Sequence, residues 1–260
     1  MTYSERGKSP SDTTPSPRYN ENVPAPANLQ DEIEKNGFAI RENILPPSEV
    51  NQLLAAIAQI DEPGVLQRRS SIYAVRNLLD ASPEIRELTD SAAIRALIEP
   101  ILGAEAFPVR GILFDKIADA NWKVPWHQDV TIAVQERVET EGFGPWSIKA
   151  DVLHVQPTAR VLENMLSVRL HLDPCHAENG ALRVIPGSHR HGRIPEDQIP
   201  AIREQSQEFV CESGVGGALL MRPLLLHASS PSQLPNHRRV IHIDFAAVSL
   251  PNGLRWFSEQ

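Results

Sequence analysis

The first hundred residues carry apolar side chains at the spacing of α-helices. The segment "PPSEVNQLLAAIAQI" has a Pro-Ser start followed by an apolar stripe at Val50, Leu53, Leu54 and Ile57. A second run with helical spacing, "SPEIRELTDSAAIRALIEPILG", ends at Gly103. A shorter helix is predicted in "LQDEIEKN", and an apolar strand follows it. The N-terminal part of the chain is therefore predicted to be mainly helical.

From about residue 105 the pattern changes to short apolar runs between turns rich in Gly, Pro and Asn. The strand candidates are "AFPVRGILFDKI", "WHQDVTIAV", "MLSVRLHLD", "ALRVIPGSH", "GALLMRPLLLHAS" and "RVIHIDFAAV". Many short strands with turn signals between them are typical of a β-sandwich or barrel. The whole pattern predicts an α+β, mainly β fold, in which N-terminal helices flank a β-core.

One strand candidate separates apolar from polar side chains with a period of two. Its apolar face carries Leu166, Val168, Leu170 and Leu172, and its polar face carries Ser167, Arg169 and His171. A polar face inside a barrel is costly unless it lines a cavity or binds a ligand. Exposure of this face to solvent is the alternative interpretation.

Composition indicates a globular protein. The 260 residues are 41% hydrophobic and 22% charged with a formal net charge of -8, which fits one domain with a sizeable core. Lys and Arg do not cluster as a nucleic-acid surface requires, and no apolar stretch has the length of a membrane helix. The two cysteines, Cys175 and Cys211, form no disulfide framework and suit a reducing compartment such as the cytoplasm.

The segment 1–27 differs from the rest of the chain. It is rich in Pro, Ser, Thr and Asn, offers little to bury, and lacks the apolar core of a signal peptide. We predict a disordered or extended arm over 1–27 and a single domain over 28–260.

The stretch "WHQDV" raises the question of a metal site. A strand would point His127 and Asp129, two positions apart, to the same face. The two could be an ordinary hydrogen-bonded couple or two ligands of a metal. His227 ends an apolar run where the chain becomes small and polar, which suits the mouth of a pocket. Two histidines and one carboxylate form the facial triad of non-haem Fe(II) oxygenases, and they would also suit Zn²⁺.

An arginine follows this histidine at an informative distance. Arg238 comes eleven residues after His227, and a turn at "PSQLPN" would bring the next strand back beside the first. A guanidinium group matches a carboxylate bidentately, so iron with a nearby arginine suits 2-oxoglutarate. Ser229 shares the face of His227 and could add a hydroxyl, whereas alternation points Arg239 to the opposite face.

Three segments carry a resemblance to a known family: "NWKVPWHQD", "HLDPCHAENGALRVIPGSH" and "LLLHASSPSQLPNHRRVIHIDFA". With them the chain resembles the phytanoyl-CoA hydroxylase-like Fe(II)/2-oxoglutarate-dependent dioxygenases. The resemblance implies a double-stranded β-helix, the jelly roll of cupin-like proteins. It also implies that His127, Asp129 and His227 bind iron, and that Arg238 and Ser229 bind the co-substrate.

Further expectations come with the resemblance. Gln128 would line the co-substrate pocket, and Lys116 would contact co-substrate or substrate unless it is a solvated surface lysine. The cofactors would be Fe(II), 2-oxoglutarate and O₂. A small-molecule substrate would be hydroxylated at an aliphatic C–H bond while 2-oxoglutarate is decarboxylated to succinate and CO₂. Trp126, Arg169 and His242 are candidate substrate contacts, and Arg169 would suit a carboxylate or phosphate, although each could equally be structural.

Two functions of other classes remain open at this stage. One is a non-redox metal enzyme, a lyase or isomerase on a cupin-like scaffold, which would leave Arg238 and Ser229 unexplained. The other is a binding module without catalysis. The oligomeric state is not predicted.

Overall fold

The computed structural model describes residues 28–60, 66–68, 72–117, 121–149, 151–234 and 236–258. The predicted arm, 1–27, lies outside these residues. The helices are α1 (Leu29–Asn36), α2 (Pro47–Ala58), α3 (Leu78–Ala81), α4 (Pro83–Leu88), α5 (Ala92–Leu102), α6 (Ala159–Glu163) and α7 (Ile199–Glu204). Within the part of the chain that is described, none of the helices has the length and apolar character needed to cross a membrane.

Strands dominate after α5. They are β1 (Phe38–Arg41), β2 (Leu66–Arg68), β3 (Ile72–Val75), β4 (Phe107–Asp115), β5 (Val124–His127), β6 (Ile132–Val134), β7 (Trp146–Lys149), β8 (Val152–Val155), β9 (Met165–His171), β10 (Leu182–Val184), β11 (Phe209–Cys211), β12 (Ala218–Met221), β13 (His227–Ser229) and β14 (Arg239–Ala246). The prediction of a helical N-terminal part followed by a mainly β part is confirmed.

Capping side chains set the bounds of the N-terminal helices. The Asn28 side chain accepts a hydrogen bond from the Asp31 backbone N–H at the start of α1, and Gly37 ends the helix with φ +82°. The second helical run divides into separate helices because the Ser91 side chain caps the backbone N–H of Ile94 and begins α5.

The strands of the described residues form three antiparallel sheets. The large sheet has the order β1-β12-β9-β14-β4-β3-β2, the small sheet β11-β10-β13-β5, and the third sheet β6-β8-β7. Two predicted runs divide between sheets: "WHQDVTIAV" supplies β5 and β6, and "GALLMRPLLLHAS" supplies β12 and β13. In the second run Pro223 lies between the strands, where it cannot donate to a ladder. His227 therefore begins a strand and does not end one.

The central strands of the large sheet have one apolar and one polar face. The apolar face packs under the N-terminal helices in one core, which includes Leu166, Val168, Leu170, Ile241, Ile243, Phe245, Ile94 and Ile98. On the polar face Ser167, Arg169 and His171 are 0%, 8% and 1% exposed. The polar face therefore looks into the interior, and its exposure to solvent is ruled out.

The small sheet packs against this inner face at one end. Leu182 and Val184 of β10 share an apolar cluster with Phe38, Leu219 and Met221 of the large sheet. The two sheets therefore face each other. The side chains between them are apolar at this end and polar further along, where β9 and β14 line the interior. The polar part of this interior holds the candidate site.

Candidate metal centre

His127, Asp129 and His227 converge on one point. The Nε2 atoms of His127 and His227 lie 3.6 and 3.7 Å from the two carboxylate oxygens of Asp129. One ligand atom from each residue lies within 4.8 Å of the others. β5 and β13 pair the two histidines directly. Asp129 lies beyond the end of β5, so strand alternation does not orient it; its backbone N–H donates to the Pro223 carbonyl over 2.9 Å.

Backbone carbonyls set the tautomer of both histidines. His127 Nδ1 lies 2.8 Å from the Pro125 oxygen, and His227 Nδ1 lies 2.9 Å from the Leu225 oxygen. Because a carbonyl only accepts, each Nδ1 carries the proton and each Nε2 keeps its lone pair for a ligand. Two imidazole nitrogens and one carboxylate fit Fe(II) at this position.

Burial and charge set the protonation states of His227 and Asp129. Burial lowers the pKa of His227 to about 4, so its ring is neutral. Burial alone would raise the pKa of Asp129, but His227 and His127 hold that pKa well below its ordinary value. A neutral imidazole and an ionised carboxylate are the forms that bind a metal.

Lys116 and Arg238 are cross-strand neighbours beside this centre. The backbone N–H of each donates to the carbonyl of the other, over 3.3 and 3.2 Å, so the two side chains share a face. They are 0% and 3% exposed. We predicted that β14 would return beside β13, and this prediction was wrong. β14 pairs with β4 and β9 in the large sheet, and it faces β13 from that sheet. Arg239 lies on the other face and is paired with Asp173 over 2.7 Å.

Lys116 links the two sheets. Its Nζ donates to the Ser229 hydroxyl over 2.9 Å and to the Ser230 carbonyl. It is not a solvated surface lysine. Burial, followed by the charge of Arg238, lowers the pKa of Lys116 to about 7. Two cations side by side in the interior are unfavourable unless an anion lies between them, and the Arg238 Nε has no hydrogen-bond partner among the described residues.

A glycine allows the chain to cover Lys116. Gly180 has φ +82°, and a Cβ there would lie 2.7 Å from the Ser230 carbonyl oxygen and 3.1 Å from the Lys116 Nζ. Only glycine fits this turn without displacing those groups. The glycine of the "ENG" motif therefore lets the backbone pass directly over the Lys116 side chain.

A network of side-chain hydrogen bonds continues along the inner face of the large sheet. Arg169 Nη1 lies 2.9 Å from His242 Nδ1, and His242 Nε2 lies 2.8 Å from an Asp244 oxygen. Asp244 also accepts from Ser167 over 2.6 Å and from Arg110 over 2.8 Å. Arg169 Nε has no hydrogen-bond partner in the described part of the chain. Asp244 and Arg110 were not predicted from the sequence. Asp244 could have been, because it lies two residues after His242 and therefore shares its face of the strand.

Gln128 does not reach the cavity. Its side-chain nitrogen donates to the carbonyls of Gly192 and Leu224 over 2.8 and 2.6 Å, and its oxygen accepts from the backbone of Ile194 over 2.8 Å. These bonds use the amide to hold three backbone segments together. The structure therefore gives Gln128 a positioning role and does not bring it to the co-substrate.

Trp126 is likewise turned away from the triad. The guanidinium carbons of Arg183 and Arg203 lie 5.5 and 5.0 Å from its ring centroid. The ring packs against an apolar cluster that includes Ile185, Ile199 and Leu226. It is one residue from His127 on β5, so alternation sends it to the other side of the small sheet. The structure does not bring Trp126 to the metal centre.

Comparison with known proteins identifies the family. The model of the phytanoyl-CoA dioxygenase family matches residues 33–240. An ectoine dioxygenase of Nocardia farcinica is 23% identical over 247 residues, covering 83% of this chain and 76% of the relative. An L-proline trans-4-hydroxylase of Streptomyces griseoviridis is 24% identical over 230 residues, 77% of this chain and 78% of the relative.

A solved structure shares the fold. The crystal structure of EctD from S. alaskensis with 2-oxoglutarate and 5-hydroxyectoine superposes with a TM-score of 0.67 at 20% identity, covering 89% of this chain and 79% of that one. The similarity in fold therefore extends over most of this chain.

Proposed function

The chain belongs to the phytanoyl-CoA dioxygenase family, and from this premise we propose that it is an Fe(II)- and 2-oxoglutarate-dependent dioxygenase that hydroxylates an aliphatic C–H bond of a small molecule. The convergence of His127, Asp129 and His227 beside the buried cations Lys116 and Arg238 carries the proposal. The names of the two relatives, a dioxygenase and a hydroxylase, support the same chemistry.

The proposal extends to the architecture. The two facing sheets would be the halves of a double-stranded β-helix, and residues 28–260 would form one domain. The similarity in fold to EctD over 89% of the chain supports both statements. Two buried free thiols, Cys175 and Cys211, support a reducing compartment, and we propose the cytoplasm.

His127, Asp129 and His227 would hold Fe(II) on one side, which leaves three coordination positions open. When bound there, iron and 2-oxoglutarate supply the oxidising chemistry, in which O₂ is consumed and the co-substrate becomes succinate and CO₂. The chain's own residues bind and orient the two organic molecules and exclude water from the interior.

The co-substrate pocket would be formed by Arg238, Lys116 and Ser229. Arg238 and Lys116 offer two positive charges on one face, and Ser229 accepts from Lys116 and can turn its own O–H to a ligand. The distal carboxylate of 2-oxoglutarate has the size and the negative charge to bind between Arg238, Lys116 and Ser229.

Arg169 and His242 would be the substrate contacts on the same wall. They are 8% and 2% exposed, and the bond from Arg169 to His242 leaves the Arg169 Nε free to meet a ligand. Asp244 holds the His242 ring, so the guanidinium plane is fixed before a ligand binds.

Anaerobic titration of the Fe(II)-loaded protein with 2-oxoglutarate tests the proposal directly. We expect a weak visible charge-transfer absorption when the co-substrate chelates the metal. Folded, iron-loaded protein that gives no such absorption would contradict the proposal. A non-redox lyase or isomerase would be distinguished by turnover that needs no 2-oxoglutarate.

The affinity for 2-oxoglutarate is expected to fall as the pH rises above 7. In the free protein Lys116 loses its proton near a pKa of about 7, whereas a carboxylate bound beside it favours the charged form. Binding above pH 7 therefore takes up a proton, and the Kd should rise by up to about tenfold per pH unit. Calorimetry in buffers of different ionisation enthalpy measures the proton uptake.

Lys116→Met removes the titrating group and should remove this pH dependence between pH 7 and 9. Lys35→Met, on the exposed side of α1, is the matched control and should keep it. Proton uptake that persists unchanged in Lys116→Met would mean that another group titrates on binding.

A further inference from the structure

A buried histidine on the inner face of the large sheet lacks a hydrogen-bond partner. His171 is 1% exposed, and neither of its ring nitrogens has a partner among the described residues. Its backbone is held on both sides: its N–H donates to the Gly217 carbonyl over 2.9 Å, and its carbonyl accepts from Gly216 over 2.8 Å. The strand therefore fixes the face from which the ring projects. A buried donor without a partner destabilises a fold, so such a group calls for a ligand.

The strand register places His171 beside the proposed co-substrate pocket. Its cross-strand partner on β14 is Val240, which lies two residues after Arg238 and shares its face. Diagonal neighbours of this kind are roughly 7–8 Å apart, within reach of aromatic and long side chains. Lys116 is the neighbour of Arg238 on the opposite side, next to β4. A carboxylate bound at Arg238 therefore has Lys116 on one side and His171 on the other.

The path from Arg238 to the metal centre passes His171. Arg238 directly precedes β14, so the inner face extends from it in one direction only. The bond from Lys116 Nζ to Ser229 Oγ, over 2.9 Å, holds this end of the large sheet against β13. His227 lies two residues from Ser229 on the same face of β13. A 2-oxo acid that reaches from the metal to Arg238 therefore lies over the next row of paired residues. That row consists of Phe114, Val240 and His171.

The imidazole of His171 is a neutral donor. Burial, followed by the charges of Arg169 and Arg238, lowers the pKa of His171 to about 3, so the ring is uncharged at neutral pH. Backbone carbonyls set the tautomers of His127 and His227, but none sets that of His171. A ligand can therefore receive the N–H of either tautomer, and the ring adds no third positive charge beside the two cations.

We propose that His171 donates a hydrogen bond to the distal carboxylate of 2-oxoglutarate and thereby helps to select a 2-oxo acid that has a second carboxylate. This rests on the proposed function and adds a residue that determines co-substrate specificity at the same site. Arg238 and Lys116 supply charge, whereas the His171 ring supplies a directed donor from the third side. The bond also satisfies a group that has no partner in the free protein.

His171→Leu tests the proposal because it removes the N–H and keeps a side chain of similar size. The 2-oxoglutarate Kd, from anaerobic titration of the Fe(II)-loaded protein, should rise about tenfold to a hundredfold, as for loss of a hydrogen bond to a charged group. His171→Phe also lacks a donor but keeps a planar ring, and it should show the same loss. His171→Gln keeps an N–H and should recover part of the affinity. The metal-free, ligand-free His171→Leu protein should melt at or above the wild-type temperature, because no bond is lost.

A second ligand shows which end of the co-substrate the ring contacts. 2-Oxopentanoate has the same chain length as 2-oxoglutarate but lacks the distal carboxylate, so His171→Leu should change its Kd by no more than about twofold. The ratio of variant to wild-type Kd for 2-oxoglutarate should also stay constant between pH 6 and 9, where this ring does not titrate. His154→Leu is the matched control. His154 is 5% exposed, but its Nδ1 lies 2.9 Å from the Val152 oxygen, and its loss should leave the 2-oxoglutarate Kd unchanged.

Three results would overturn the proposal. The first is an unchanged 2-oxoglutarate Kd in His171→Leu or in His171→Phe. The second is an equal loss for 2-oxopentanoate, which would place the ring at the chelating end. The third is a large fall in the stability of both ligand-free variants, which would give the ring a structural role. Failure of the wild-type protein to bind 2-oxoglutarate would instead contradict the proposed function.

Discussion

His227→Ala is expected to abolish Fe(II) binding and turnover while leaving the protein folded. The His227 Nε2 is unprotonated and points at Asp129 from 3.7 Å, so its loss leaves two ligands where three are needed. The ring lines the cavity and is not a central part of an apolar core, so the metal-free variant should unfold cooperatively, near the wild-type temperature. Metal content and thermal unfolding, each with and without Fe(II), measure the two effects.

The metal-dependent gain in stability gives the result a scale. A ligand at a hundred times its Kd stabilises a fold by about 2.7 kcal/mol, which corresponds to a rise in Tm of roughly 5–10 °C for a domain of this size. Wild-type protein should show such a rise and His227→Ala should not. His191→Ala, at an exposed turn, is the control and should behave as wild type. Retention of iron and activity in His227→Ala would mean that the metal lies elsewhere.

The convergence of His127, Asp129 and His227 could be predicted from sequence, although part of the argument was mistaken. His127 and Asp129 were expected on one strand, but β5 ends at His127 and a bond to the Pro223 carbonyl holds Asp129. The spacing of two was still informative, because the short segment from His127 to Asp129, held by this bond, keeps the carboxylate near the imidazole. A local pattern identified the residues, whereas the long-range contact that orients one of them was not visible in it.

The surroundings of the ligands depend on pairing between distant strands, which periodicity does not specify. Nothing local to Lys116 indicates that it is opposite Arg238, and so its burial could not be predicted. Alternation was reliable where the strand was long: it separated Arg238 from Arg239 and the two faces of β9. Alternation also applied to Trp126, which precedes His127 on β5 and therefore points to the other side of the small sheet.

The charge on the inner face explains why this interior is polar at all. Buried cations destabilise a fold when they are unpaired, and a protein of marginal stability keeps them where a ligand compensates. Lys116, Arg169 and Arg238 are buried, and burial followed by the charge of Arg238 lowers the pKa of Lys116 and of Arg169. The free protein therefore bears an electrostatic cost that binding of 2-oxoglutarate should relieve.

Arg238→Ala is expected to weaken 2-oxoglutarate binding by roughly 30-fold to several thousand-fold. Removing one side of a buried charge pair leaves the other side unpaired, at a cost of about 2–5 kcal/mol, and about 1.4 kcal/mol corresponds to a factor of ten. Fe(II) affinity should hardly change, because Arg238 is not a ligand. The metal-free, ligand-free variant should be as stable as wild type or more stable, since the like-charged neighbour of Lys116 is gone. Anaerobic titration gives the Kd, and thermal unfolding gives the stability.

Two further variants separate charge, geometry and register. Arg238→Lys should recover only part of the affinity, because an ammonium group keeps the charge but not the bidentate fork. Arg239→Ala removes the pair with Asp173 on the outer face and should leave the 2-oxoglutarate Kd nearly unchanged. An unchanged Kd in Arg238→Ala would contradict the co-substrate assignment. A large effect in Arg239→Ala alone would mean that β14 is shifted by one residue, since a slip of one exchanges the two faces of a strand.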